Sequence, residues 1–204
     1  VLAAWLEAMQ DRQVTIGGTT VPLDPPFLVL ATQNPIESEG TYPLPEAQLD
    51  RFLMKIRVGY PSRDEEREVL VRLGGDETIP VDQVLTPESI LAARKEIAAV
   101  YLDQKLVDYI VDVVRATRTP ADVGLKDLQP LIAYGASPRA TLALARVARA
   151  HAFIRGRNYV IPEDIRALAP DVLRHRVVLT FEAEAEDMDT DAVVTQVLDA
   201  VEVP

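Results

Sequence analysis

Cysteine is absent from the 204 residues. That rules out disulfides and thiolate metal sites, and it fits the reducing cytoplasm expected as the location. Histidine is nearly as scarce, with only His151 and His175. Two are too few for a multi-histidine metal site or a Ser-His-Asp triad, so each reads as a surface or packed residue and no metal ligand is expected. Positive charge is in deficit: 21 Lys and Arg stand against 32 Asp and Glu, a formal net charge of −11. Such a balance repels phosphates and argues against general nucleic-acid binding as the main activity, although a local basic face remains open. No apolar run reaches the length of a membrane span, and no charged-then-apolar signal segment opens the chain. An initiator methionine is missing too. The chain starts at Val1 inside a helical pattern and reads as a piece of something longer.

What is present is ordinary for a soluble globular protein, with 48% hydrophobic and 26% charged residues and enough length for one large or two small domains. The organising stretch is Phe27-Leu-Val-Leu-Ala-Thr-Gln-Asn-Pro35. Residues 27–31 form an unbroken apolar run, as expected of a strand buried on both faces of a parallel sheet. The run ends in Thr32, Gln33 and Asn34, and Pro35 stops the ladder. In open α/β sheets ligands sit beyond the carboxyl ends of strands, so this is a candidate site edge.

Around it, Leu2, Trp5, Leu6 and Met9 share a helical face over residues 2–10. Residues 13–16 and 19–22 flank Gly17-Gly18, a hairpin signal, and the hairpin reads as half buried and projecting. Pro45 opens a short helix reaching about Phe52, and residues 53–60 read as a further strand. Helix, hairpin, strand, helix and strand make the closing half of an α/β domain, assigned to residues 1–60. Pro61 and Ser62 mark a boundary, and residues 61–204 read as all-helical. Helices are expected over 64–73, from Thr86 to about Tyr101, and after an Asp103 cap with Leu106, Val107, Ile110, Val113 and Val114 buried. A loop is expected over 119–136, then a long helix from Ser137-Pro138 through Arg155, and a short one opened by Ile161-Pro-Glu-Asp. An acidic stretch over 181–191 precedes a last helix on Val193, Val194, Val197, Leu198 and Val201. The basic series Arg146, Arg149, His151, Arg155 and Arg157 reads as a solvated or subunit-facing side.

Three residues could carry chemistry. Asn34 ends the central strand, where its amide can orient a water or a phosphate oxygen, or can simply cap an Asn-Pro turn. Arg51 lies near the end of the Pro45 helix with no acid one turn away on either side. It is either a solvated charge or a guanidinium free to reach a phosphate. Arg139 follows the Ser137 cap and Pro138, where a cation opposes the helix dipole. A helix N-terminus plus an arginine suits an anion, and the competing reading is a bridge to an acid elsewhere in the fold.

Four stretches together resemble the AAA+ ATPases, and within them the MoxR family. They are Leu6-Glu-Ala-Met-Gln-Asp-Arg-Gln-Val-Thr-Ile-Gly-Gly18, Val29-Leu-Ala-Thr-Gln-Asn-Pro-Ile36, Glu39-Gly-Thr-Tyr-Pro-Leu-Pro-Glu-Ala-Gln-Leu-Asp-Arg-Phe52 and Gly135-Ala-Ser-Pro-Arg-Ala140. The resemblance implies an α/β fold: the second half of a P-loop NTPase core followed by a helical lid. It implies that Asn34 is sensor 1, Arg51 the arginine finger reaching a neighbouring subunit's nucleotide, and Arg139 sensor 2 in the lid. The 14–21 hairpin would be the pre-sensor 1 hairpin. The implied cofactors are ATP and Mg²⁺. The implied partners are identical subunits in a ring, expected to be a hexamer, and protein substrates such as those carrying von Willebrand factor A domains. The sequence departs from the family pattern in one respect: it contains no G-x-x-x-x-G-K-[ST], and an acidic Walker B strand would fall before Leu2. The chain by itself is therefore expected neither to hydrolyse ATP nor to bind it tightly. Two alternatives stand beside this reading, a non-catalytic interaction module on an AAA+ scaffold and a magnesium-chelatase-like subunit. The Gly-Thr-Tyr-Pro-Leu-Pro-Glu-Ala-Gln stretch favours MoxR over the chelatase.

Overall fold

The fold was examined in a computed structural model, which describes residues 7–9, 12–33, 44–74 and 79–204. Residues 7–9 are helical. Strands β1 (Gln13–Ile16) and β2 (Thr19–Pro22) pair antiparallel around Gly17 and Gly18. Both glycines have positive φ, +57° and +82°, as a two-residue hairpin turn requires. The hairpin is mostly exposed, with Ile16 at 71%.

The expected central strand does not form. Residues 27–33 join no ladder, and Leu28 and Leu30 are 73% and 86% exposed. Residues 53–60 likewise pair with nothing, leaving Val58 and Tyr60 in the open. The apolar pattern is that of buried strands, but a parallel ladder needs a neighbouring strand, and the described residues supply none. The Pro45 helix is also shorter than expected. Helix α1 spans Glu46–Leu49, with Pro45 as its N-cap and a turn at Asp50 and Arg51.

Beyond Pro61 local signals and structure agree closely. Helix α2 (Arg63–Leu73) begins with a capping box between Ser62 and Glu65. Helix α3 (Pro87–Ala99) has a second box from Thr86 and Ser89. Helix α4 (Gln104–Ala116) is capped by Asp103, which accepts from the Lys105 amide at 2.9 Å. It buries Leu106, Tyr109, Ile110, Val113 and Val114, the i, i+3, i+4 stripe of an amphipathic helix. Helix α5 (Pro138–Ile154) is the centre of the bundle and contacts α3, α4 and the following helix α6 (Pro162–Leu173). Its buried face is Ala140, Ala143, Leu144, Val147, Ala148 and Ala152. Alanine combines high helix propensity with a small side chain, so neighbouring helices can approach closely. Gly156, at φ +73°, ends the run in the left-handed conformation. The acidic stretch holds the short helix α7 (Phe181–Ala185), and α8 (Thr190–Ala200) closes the core with Val193, Val194, Val197 and Leu198.

The expected 119–136 loop contains two 3₁₀ turns (Pro120–Val123 and Lys126–Leu131) and strand β3 (Ile132–Tyr134). β3 pairs antiparallel with β4 (Val178–Leu179), and Tyr101 and Tyr159 form a parallel bridge, so residues 61–204, expected to be all-helical, also carry this pairing. Part of the basic series is structural rather than solvated. Asp164 is 1% exposed and takes both Arg157 nitrogens, one at 2.8 Å, together with His151 Nδ1 at 2.7 Å and the Ile161 amide at 2.9 Å. Burial pushes the Asp164 pKa up, but these bonds outweigh it and hold it below the ordinary value. Arg149 Nε donates to the Val100 carbonyl at 3.1 Å, tying α5 to the end of α3.

Candidate functional site

At the C-terminus of α6, Arg174, His175 and Arg176 stand where helix carbonyls are unsatisfied and cations are favoured. All three side chains donate to the backbone of residues 50–55. Arg176 reaches the carbonyls of Asp50 and Leu53, each at 3.2 Å, and that of Phe52. His175 Nε2 donates to Phe52 O at 3.1 Å. Arg174 bonds Lys55 O, and the Lys55 amide returns to Asp171 O at 2.8 Å. A short segment with almost no apolar burial of its own is thereby strapped to the lid.

Asp50 is the pivot. Its Oδ1 accepts from Arg176 Nε at 3.0 Å, and its Oδ2 accepts from Ser137 Oγ at 2.8 Å. The same Ser137 oxygen accepts from the Arg139 amide at 3.2 Å, capping α5. Arg139 Nη1 stands 3.8 Å from Asp50 Oδ2, with its side chain 51% exposed. The acid that Arg139 lacks on its own helix is therefore supplied across the joint, at a distance loose enough to leave the guanidinium open to solvent. Arg176 is 2% exposed. Burial pulls its pKa down, and hydrogen bonding to Asp50 opposes that shift. The His175 ring is also held in its neutral form. Burial first, then the Arg176 charge, lowers its pKa to about 4.

Arg51 follows Asp50 directly. Its Nε and one terminal nitrogen are buried without a hydrogen-bond partner among the described residues, and so is the Oε1 of Gln48 one helical turn earlier. A guanidinium withdrawn from water with donors unused is costly, so a position like this is unusual for a purely solvated charge. The structure thus brings Arg51 and Arg139 to one joint through Asp50. Asn34 lies outside the described residues. Among those residues no group of acids and histidines could hold a metal ion, and no helix is long and apolar enough to cross a membrane.

Sequence reading singled out Arg51 and Arg139 as candidates but not Asp50 and Arg176, which tie the segment bearing Arg51 to the start of α5 and the end of α6. The only signal was the Arg-His-Arg triplet closing α6. Gly135 was read as part of a motif without a reason for its size. A Cβ there would lie 2.4 Å from the Thr117 carbonyl oxygen. The neighbouring Ala136 amide donates to Thr117 Oγ1 at 2.9 Å. This close approach against the end of α4 sets the path on which Ser137 and Arg139 follow.

Comparison with known proteins places both parts of the chain in one family. Residues 1–54 match the family described as ATPases associated with various cellular activities, and residues 126–197 match the AAA lid domain. The chain is 51% identical over its whole length to "Chaperone MoxR1" of Mycobacterium tuberculosis, covering 54% of that protein. It is 44% identical over 99% of its length to the uncharacterized protein YeaC of Bacillus subtilis, covering 61% of it. A crystal structure from Cytophaga hutchinsonii, described as a candidate ATPase, superposes with a TM-score of 0.94 at 49% identity, over 99% of this chain and 62% of that one. Magnesium-chelatase subunits match more distantly. The chain spans between half and two thirds of the length of MoxR1, YeaC and the Cytophaga protein. A match to the ATPase family and one to its lid domain in the same chain, with whole-length identity to MoxR1, settle its kinship: the chain belongs to the AAA+ ATPases of MoxR type.

Proposed function

We propose that this chain is the sensing and trans-acting part of a MoxR-type machine that couples ATP binding and hydrolysis to chaperone-like remodelling of partner proteins. In this reading residues 1–60 close the ATPase core and residues 61–204 form the lid. Arg51 acts as the arginine finger on a neighbouring subunit's nucleotide, Arg139 as sensor 2, and Asn34 as sensor 1. The observation that carries it is the Arg51 side chain, whose buried nitrogens lack partners among the described residues, beside the Asp50 carboxylate that stands 3.8 Å from Arg139. Two guanidiniums suit the charge that develops on a transferring phosphoryl group. When bound, ATP with Mg²⁺ would supply that group. The residues of this chain fit its sensing and not its cradling, because the sequence contains no P-loop. The working assembly would be a homo-oligomeric ring, a hexamer on the AAA+ pattern, in the cytoplasm. It would act on protein partners such as those with von Willebrand factor A domains and not on nucleic acid.

The test uses a polypeptide in which a P-loop and a Walker B strand precede residue 1. Its turnover should fall about 10³-fold or more with Arg51→Ala. Mixed rings should recover activity when a neighbour supplies the arginine. The 204-residue chain alone should show no turnover. Full activity of the Arg51→Ala protein would refute the reading.

A further inference from the structure

We propose that Arg176 is a positioning residue for Arg51, and that with Asp50 it forms a latch making the candidate finger move with the lid of its own subunit. The proposal rests on the reading of Arg51 given above and adds how that arginine is held.

Three observations carry it. The Arg176 guanidinium, 2% exposed, engages Asp50 twice, through Oδ1 at 3.0 Å and the carbonyl at 3.2 Å. It also engages the carbonyls of Phe52 and Leu53, so it grips the chain on both sides of Arg51. The planar fork of arginine can satisfy several acceptors at once in a fixed geometry, which a lysine ammonium cannot. Second, Arg176, in the turn after α6, also bonds the Val172 carbonyl in the last turn of that helix, so the grip is anchored to the end of α6. Third, the other oxygen of Asp50 holds Ser137, the cap of the helix that carries Arg139. One carboxylate therefore joins the segment bearing one candidate phosphate-sensing arginine to the helix bearing the other. Displacement of α5 or α6 has to drag residue 51 with it or break a buried ion pair. The remaining ties of residues 50–55 to this bundle are backbone bonds at Phe52 and Lys55, from His175 and Arg174 and to Asp171, and the packing of Met54; none of them engages the Asp50 carboxylate.

Amide hydrogen exchange on the 204-residue chain tests the latch without nucleotide. With Arg176→Gln, exchange at the amides of residues 50–55 should accelerate at least tenfold, while the amides of α4 and α5 around Ile110 and Leu144 keep their protection. Arg176→Lys should recover only part of the loss. Asp50→Asn leaves Arg176 in place and should loosen the same segment, which keeps the test valid if Arg176→Gln fails to fold. Unchanged exchange at 50–55, or equal acceleration throughout the lid, would overturn the proposal. In the P-loop-bearing polypeptide, Arg176→Lys should lower kcat with little change in the KM for ATP. A fall in kcat with a comparable rise in KM would mean a general structural role and would also count against the latch. The two readings fail separately, because exchange reports the joint, whereas the response of turnover to Arg51→Ala reports the arginine.

Discussion

The lid and the segments before it treat similar sequence patterns in opposite ways. From Val100 to Val201 the apolar stripes of α4, α5, α6 and α8 face one another, and Ile110, Leu144, Ile165 and Val193 are 0–1% exposed. In residues 12–60 the apolar runs are just as clear, yet Leu30 is 86% exposed and Val58 92%. The difference lies in where the partners are. Helices complete their backbone hydrogen bonds internally and need only apolar faces nearby, which neighbouring helices provide. Strands depend on other strands for their backbone bonds, and none among the described residues pairs with 27–33 or 53–60. What holds the second of these segments is mainly polar: Arg176 and Arg174 bond the carbonyls of Leu53 and Lys55, and Arg57 bridges Asp189 and Asp191, with Met54 the one side chain packed on the core.

The strongest way to break the comparison is inside the lid. Asp164→Ala leaves Arg157 without its buried partner, and removing one member of a buried ion pair costs about 3–5 kcal/mol. Thermal or urea unfolding should show this as loss of most of the lid's stability. Gly135→Ala should come next, at about 1–3 kcal/mol, because the new Cβ collides with the Thr117 backbone. Its far-reaching effect would be on Arg139, read as a changed environment for that side chain by NMR. Ile110→Val removes one buried methylene and should cost about 1 kcal/mol. At the other extreme, Leu30→Ser or Val58→Ser should shift the unfolding midpoint of this chain by less than about 0.5 kcal/mol, since neither side chain is buried. A large loss from either would mean that these residues find a partner in solution, and the contrast between the regions would fall.

Proton titration sharpens the same contrast at the strap. His175 has a pKa lowered to about 4 in the folded protein, against 6.5 for the free side chain. Between those values the unfolded chain binds the extra proton and the folded one does not, so stability rises with pH there. The contribution is complete above about pH 6.5, falls as pH drops through that window, and is lost below about 4. His175→Asn should flatten that part of the stability profile, measured by urea unfolding at a series of pH values, while leaving the profile above pH 7 unchanged.

The sequence by itself determined the elements whose causes are local. Asp103, Thr86-Pro87 and Ser137-Pro138 announced three helix starts, Gly156 a stop and Gly17-Gly18 a hairpin, because caps and turns are settled by residues a few positions apart. It also pointed to Arg51 and Arg139, as cations without a nearby acid. Tertiary structure alone decided that Asp50 answers Arg139 and Arg176, while the buried nitrogens of Arg51 find no partner among the described residues. Asp50 meets Arg176 across 126 positions and Ser137 across 87, and no periodicity encodes a pairing at that separation. The same holds for β3 with β4, and for the difference between an apolar run that looks like a strand and one that has a strand to pair with. Hydrogen-bond partners far apart in the chain are chosen by the packing of the helices that carry them, and that packing exists only once the whole lid has folded.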